Sequence, residues 1–391
     1  MTGTAQHVLV LDAKQRSALA VTRSLGQIPG LKISTADSSL TSLAGSSKFS
    51  YQYFVHPAPQ DEPQAFLDWM QQTIKTEQID VLFPVTDLTS QMLLMHQDIL
   101  GACLLPFASY DTLIALADKV KLTELAQTLD IRVPTSRMYK NKAEVDINDI
   151  SHYPVVVKPC LSQIRTGSKW IETLVVVAHS QEELRTILER HTYLRHYAFM
   201  IQEYISGHGA GIFAIYDHGE PVAYFAHRRI RELPPEGGMS VLSESVGIAP
   251  ELKRVAERLL VSATWHGVAM VEFRVDERGT PYLLEVNTRF WGSLQLAIDA
   301  GIDFPKLLWQ ITTGQPVTSV ENYRIGQRLR WFLGDLDSLI LTFKSRNDSV
   351  GQKIKHLITF VMPRFAGQRH EVNRFGDFRP AWTELKQYVS R

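Results

Sequence analysis

Leu283–Ser293 reads LLEVNTRFWGS, and its polar residues Glu285, Asn287 and Arg289 fall at every second position. Residues i, i+2 and i+4 of a strand share one face. A strand here therefore aims a carboxylate, an amide and a guanidinium into one small volume. A solvated edge strand alternates in the same way, so the neighbouring sequence has to separate the two readings. Val268–Phe290, VAMVEFRVDERGTPYLLEVNTRF, reads as a hairpin turning at DERGT, which sets Glu272 on one strand and Glu285 on its partner. Glu272 sits among apolar neighbours, where an unpaired acid is costly. Two carboxylates and an amide oxygen form a hard, oxygen-only donor set that suits Mg²⁺. Magnesium completes its shell with water and phosphate oxygens, so the set points to a nucleotide.

Composition narrows the field. At 391 residues the chain is long enough for two or three domains. Its 41 basic and 41 acidic residues cancel, so bulk charge supports neither a nucleic-acid nor a membrane-surface role. The two cysteines, Cys103 and Cys160, are too few for a disulfide framework or a cysteine-based zinc cluster. The opening MTGTAQHVLVLDAKQR lacks an apolar stretch of secretory-signal length, and no run approaches a membrane span. A cytoplasmic enzyme is the expectation.

Along the first hundred residues, short apolar runs (Val8–Leu11, Leu31–Ser34, and DVLFPVTD at Asp80–Asp87) alternate with amphipathic helical stretches. That order predicts a parallel sheet covered by helices. Ligands collect at the carboxyl ends of such strands, which makes Thr86 and Asp87 candidate substrate contacts, although either also suits a helix N-cap. LDAKQRSAL lacks the glycines of a dinucleotide fingerprint, which disfavours nicotinamide and flavin roles. Further on, strands and helices mix with antiparallel pairs, as in an α+β unit. From about Val320 no motif is readable.

A nucleotide also needs cations. Lys158 closes the apolar strand VVVKP and is placed to reach a phosphate. The following loop, Ser162–Lys169, offers backbone N–H groups but a single glycine, Gly167.

The ordered set Asp118-Lys119, VVVKP ending at Pro159, IQEYISG (Ile201–Gly207), VEF (Val271–Phe273) and LEVNTR (Leu284–Arg289) resembles the ATP-grasp superfamily, in particular its biotin carboxylase and carbamoyl phosphate synthase-like carboxylate–amine ligases. The match runs from about residue 5 to about 315. The resemblance implies an α/β N-terminal domain with a parallel sheet at 1–112, followed by α+β ATP-grasp domains at 113–320. Within the latter, a small lid subdomain spans about 135–205 and a larger catalytic subdomain about 206–320. Residues 321–391 are left as an extension of unknown role.

Carried over position by position, the resemblance gives Lys119 and Lys158 to the ATP phosphates, with Ser162, Thr166 and Gly167 in the covering loop. Gln202, Glu203 and Ile205 border the adenine. Glu272, Glu285 and Asn287 ligate one or two Mg²⁺ ions, or Mn²⁺ in their place. Arg289 meets the substrate carboxylate or the acyl phosphate, and Arg229 and Arg231 face a second anion. The implied reaction is ATP-dependent joining of a carboxylate (amino acid, peptide or acidic sugar) to an amine. The alternatives are a grasp-fold carboxylase or kinase, or a non-catalytic ATP-binding regulator. No nucleic-acid partner is expected, and a homodimer is compatible with the family. Two departures from its pattern stand out: CLSQIRTGSKW in place of a glycine-rich run, and Gly209-Ala210-Gly211 where a ribose-binding acid is usual. Two segments are expected to act as lids, Ser162–Lys169 and Pro234–Ser243. Phe290-Trp291-Gly292 is expected to shape the acceptor pocket.

Overall fold

Burial of both faces explains the unbroken apolar runs at the N-terminus. In the computed structural model, which describes residues 7–235, 237–345, 348–362 and 367–390, four strands pair in parallel. Their spatial order is Gln52–Val55, Lys32–Asp37, His7–Val10, Val81–Phe83. Val8 and Val10 pack in one core with Ala18, Leu19 and Val21 of the helix Arg16–Leu25. Leu9 and Leu11 pack in another with Phe66, Leu67 and Met70 of the helix Pro63–Glu77.

A second sheet is antiparallel, in the order Ser136–Tyr139, Phe199–Glu203, Val155–Pro159, Val176–Ala178, and packs on the helix Gln181–Arg190. The third is the scaffold of the molecule. Its seven strands run Pro281–Asn287, Gly267–Val275, His208–Asp217, Glu220–Leu233, Met239–Ser245, Arg328–Arg330 and Gln368–His370, all antiparallel except the last pair. The strand Glu220–Leu233 changes partner midway: up to Ala226 it pairs with His208–Asp217, and from His227 it pairs with Met239–Ser245. The fold class is thus a parallel α/β N-terminal unit followed by α+β sheets.

Three expectations change. The second half of the Pro234–Ser243 lid candidate is strand, because Met239–Ser245 finds a partner on each side and buries Val241 and Leu242. Phe290 and Trp291 are both 2% exposed and belong to the hydrophobic core. Phe290 stacks on Phe83 of the parallel sheet, and Trp291 lies 4.4 Å from Phe213 and edge-on to Phe304 at 5.0 Å. Between them they weld the N-terminal sheet to the scaffold sheet. The unreadable C-terminal residues supply the last two scaffold strands and then fold back. There Arg23 donates to Asp377 Oδ2 (2.8 Å) and to the carbonyls of Glu371 and Val372 (2.8 Å each). Among the described residues, no helix is long and apolar enough to cross a membrane.

Candidate active site

The hairpin of Gly267–Val275 with Pro281–Asn287 places Glu272 directly opposite Glu285 and Met270 opposite Asn287, so the two acids and the amide share one face. The Asn287 amide nitrogen donates to Glu272 Oε1 at 3.2 Å and to Glu285 Oε1 at 3.3 Å. The third strand presents Gly211 opposite Glu272, and a Cβ added at Gly209 would lie 4.0 Å from the Arg229 guanidinium. The glycines leave the floor open beside the acids.

Cations close round this face from three directions. Arg229, on Glu220–Leu233, donates from Nη2 to Glu272 Oε2 at 3.1 Å and pairs through Nη1 with Glu232 at 3.2 Å. Lys119 is buried, with its Nζ 3.6 Å from Glu285 Oε2 and 3.5 Å from Ser162 Oγ. Its place is fixed by Asp118, which N-caps the helix Lys119–Thr128 through the N–H groups of Val120 and Lys121, and by a bond from the Lys119 N–H to the Cys160 carbonyl at 2.9 Å. Lys158 is equally buried at the end of Val155–Pro159. Arg289 donates from Nη2 to Asn287 Oδ1 at 3.3 Å and from Nε to Asp87 Oδ2 at 2.7 Å.

Electrostatics divide the two acids. Burial pushes Glu272 up, and the like charge of Glu285 adds to the rise against the pull of Arg229. Glu285 resists its own burial because Lys119 and Lys158 lie close, and its carboxyl is held below the usual range. Burial pushes the Lys158 ammonium down to about 8, even with Glu285 nearby. An anion in the cleft returns that charge.

These residues fit a magnesium ion. The donor set is oxygen only, the two carboxylates stand opposite each other, and a single amide reaches both. Rotating the Asn287 amide would exchange its nitrogen for an oxygen toward the acids.

The other candidates lie further out. Gln163–Thr166 and Lys169–Glu172 form a two-stranded hairpin, with Gly167 at φ +59° in its turn, so the glycine-poor segment is a flap rather than an irregular loop. Thr166 and Gly167 are therefore at its tip. The flap rests on the N-terminal unit: Trp170 is buried with Phe66 and Leu82, its N–H donates to the Gln60 carbonyl at 2.9 Å, and Lys169 pairs with Asp61. Gln202 turns its side chain to Ser136 Oγ (2.9 Å), leaving only its backbone for a base. Glu203 is exposed, and the Ile205 carbonyl accepts from Arg274 at 3.1 Å.

Arg231 stands apart from the acids. It leaves Arg229 because the pairing with Met239–Ser245 bulges between them. Both ends of its guanidinium instead grip Asp335 at 2.6 Å. Sequence reasoning also missed the tie between Asp87 and Arg289. Its signal was present in Asp87 at a strand's carboxyl end, with Asp12 behind it accepting from the N–H groups of Val85 and Thr86 at 3.0 Å each.

Residues 195–333 match the family described as "ATP-grasp in the biosynthetic pathway with Ter operon". That segment holds Arg229, Glu272, Glu285, Asn287 and Arg289, whereas Lys119 and Lys158 lie before it. The chain is 23% identical over 222 residues to a D-alanine–D-alanine ligase of Aquifex aeolicus, covering 54% of this chain and 73% of that one. Among solved structures, an L-amino acid ligase from Bacillus licheniformis superposes with a TM-score of 0.62 at 19% identity, over 80% of this chain and 75% of that chain. A biotin carboxylase from Campylobacter jejuni gives a TM-score of 0.66 at 17% identity, over 83% and 74%. The fold is that of the ATP-grasp proteins.

Proposed function

We propose that this chain, which carries the ATP-grasp fold, is an ATP-dependent ligase that activates a carboxylate as an acyl phosphate and joins it to an amine, releasing ADP and phosphate. One observation carries the reading: Glu272, Glu285 and Asn287 meet on one face with Lys119, Arg229 and Arg289 around them. Such a face is built to collect phosphates and a carboxylate together.

The chemistry follows from the reactants. A carboxylate resists attack by an amine because oxide is a hopeless leaving group. Transfer of the terminal phosphoryl group of ATP to a carboxylate oxygen converts that oxygen into part of a phosphate, which the amine then displaces. The protein positions the reactants and compensates charge. Lys119 and Lys158 offer ammonium groups to the phosphate chain. Arg289, held by Asp87, is presented to the carboxylate being activated, and Arg229 lies across the acids from it. Glu272, Glu285 and Asn287 would hold magnesium, which when bound neutralises phosphate charge and draws electron density from the transferring group. The flap at Gln163–Glu172 covers the cleft and limits hydrolysis of the acyl phosphate.

ADP release measured over a panel of acid and amine pairs, with a bicarbonate arm, tests the proposal. The ligase reading requires release that depends on both an acid and an amine. Release driven by bicarbonate alone would identify a carboxylase, and tight ATP binding without release a regulator.

A further inference from the structure

The C-terminal residues build a second chamber on the far side of Arg229. The distal half of Glu220–Leu233 forms one wall and the helices Phe332–Lys344 and Val350–Val361 form the other, flanking a half-open cleft of about 540 Å³. That volume is within the range of about 300–1,000 Å³ usual for small-molecule sites. Arg229 belongs to both places, since it lines the chamber while donating to Glu272.

The lining is cationic. Arg229, Arg231, Arg328 and Lys355 face it against the single acid Glu232. The arginines are tethered from behind, but with too few acids. Buried Asp335 accepts from Arg231 and also from Arg330, at 2.6 Å. Glu244 accepts from Arg328 at 2.7 Å and from Arg228 at 2.8 Å. Each carboxylate thus serves two guanidinium groups and leaves one positive charge uncompensated. His356 also lines the wall, with its Nδ1 donating to the Thr342 hydroxyl, which in turn donates to the Ser338 carbonyl.

We propose that this chamber receives the far end of the substrate, and that this end carries a second anionic group, a carboxylate or a phosphate, distinct from the carboxylate that is activated. The Arg231–Asp335–Arg330 and Arg328–Glu244–Arg228 clusters set the positive wall. Lys355, from the helix Val350–Val361, supplies donors to the anion. The C-terminal helices then determine substrate choice, while the Glu272–Glu285 face performs the chemistry. Only the identity of the reacting end rests on the ligase reading; recognition of the second anion does not.

Calorimetry on the full chain without ATP tests it with two matched pairs: glutarate against glutaramate for a second carboxylate, and 3-phosphoglycerate against glycerate for a phosphate. At least one dianion should bind tenfold or more tightly than its single-anion partner, and Lys355→Glu should remove most of that preference. Lys355 is exposed, so the variant folds, and its melting temperature checks this. Equal binding within both pairs, or a preference untouched by Lys355→Glu, overturns the assignment. Dianion binding that survives alongside a complete failure of ADP release would sink the ligase reading alone. Turnover indifferent to the second charge would sink this inference alone.

Discussion

Arg289 Nε donates to Asp87 Oδ2 at 2.7 Å, joining the strand that carries the metal-type acids to the first turn of a helix in the N-terminal unit. Arg289 is held protonated there: its burial is outweighed by Asp87, with Glu285 and Glu272 adding to the effect. Thr86 caps that helix, and Asp12 anchors the backbone before it. The N-terminal unit thereby fixes the direction of the arginine. Asp87→Asn should keep the fold and free Arg289 to swing. The expected loss in kcat/KM for the acid is on the order of 10- to 100-fold, the range for losing a charge-assisted bond that positions a reactant. The KM for ATP should change little. An unaltered acid KM and kcat in this variant would remove the positioning role.

Lys158 should make ATP affinity depend on pH. Its folded value of about 8 lies below the ordinary 10.5, so in the free protein its charge is lost as pH rises through about 8. ATP binds better to the charged form, and affinity should fall above that pH. At pH 8, binding should take up protons, because the phosphates restore the ammonium. Calorimetry in buffers of different ionisation enthalpy reads this uptake directly. Lys158→Met should abolish the uptake and weaken ATP binding; uptake that persists in the variant assigns it to another group.

The flap should depend on its anchor. Trp170 is buried against the N-terminal unit, next to the bond from its N–H to Gln60. Trp170→Ala removes that hydrophobic anchor while leaving the residues around the acids in place. Hydrolysis of ATP without amine should rise several-fold relative to ligation, because an open cleft admits water to the acyl phosphate. An unchanged ratio of hydrolysis to ligation would mean the flap does not exclude water.

Trp291 distinguishes core from pocket. Packed on Phe213 and Phe304, it should cost about 3–5 kcal/mol of stability when replaced by alanine. Denaturant unfolding measures this. A pocket residue would instead alter substrate KM with little change in the unfolding midpoint.

How much of this was readable in the sequence follows from the range of the interactions. Glu285 and Asn287 were legible together because strand alternation is local, but Glu272 faces Glu285 only through a bulge that passes over Leu284, which the turn alone does not set. The parallel unit was legible for the same reason, in its alternating apolar runs and helices. Arg231 was not, since a bulge against Met239–Ser245 redirects it to Asp335, more than a hundred residues away. Phe290 and Trp291 were expected to shape a pocket, and only the docking of a separate sheet through Phe83 puts them in the core. The C-terminal residues carry short strands whose partners, such as Arg328–Arg330 with Met239–Ser245, lie far away in sequence. No local periodicity encodes such pairings.

The central claim, that a carboxylate is activated through its own oxygen, has a direct test. The acid that supports ADP release is labelled with ¹⁸O in its carboxylate, and the released phosphate is examined by mass spectrometry. One labelled oxygen should appear per phosphate in each turnover, and Glu285→Ala should lose both turnover and label. Unlabelled phosphate released in step with product would contradict it, because the phosphoryl group would then never have passed through the carboxylate.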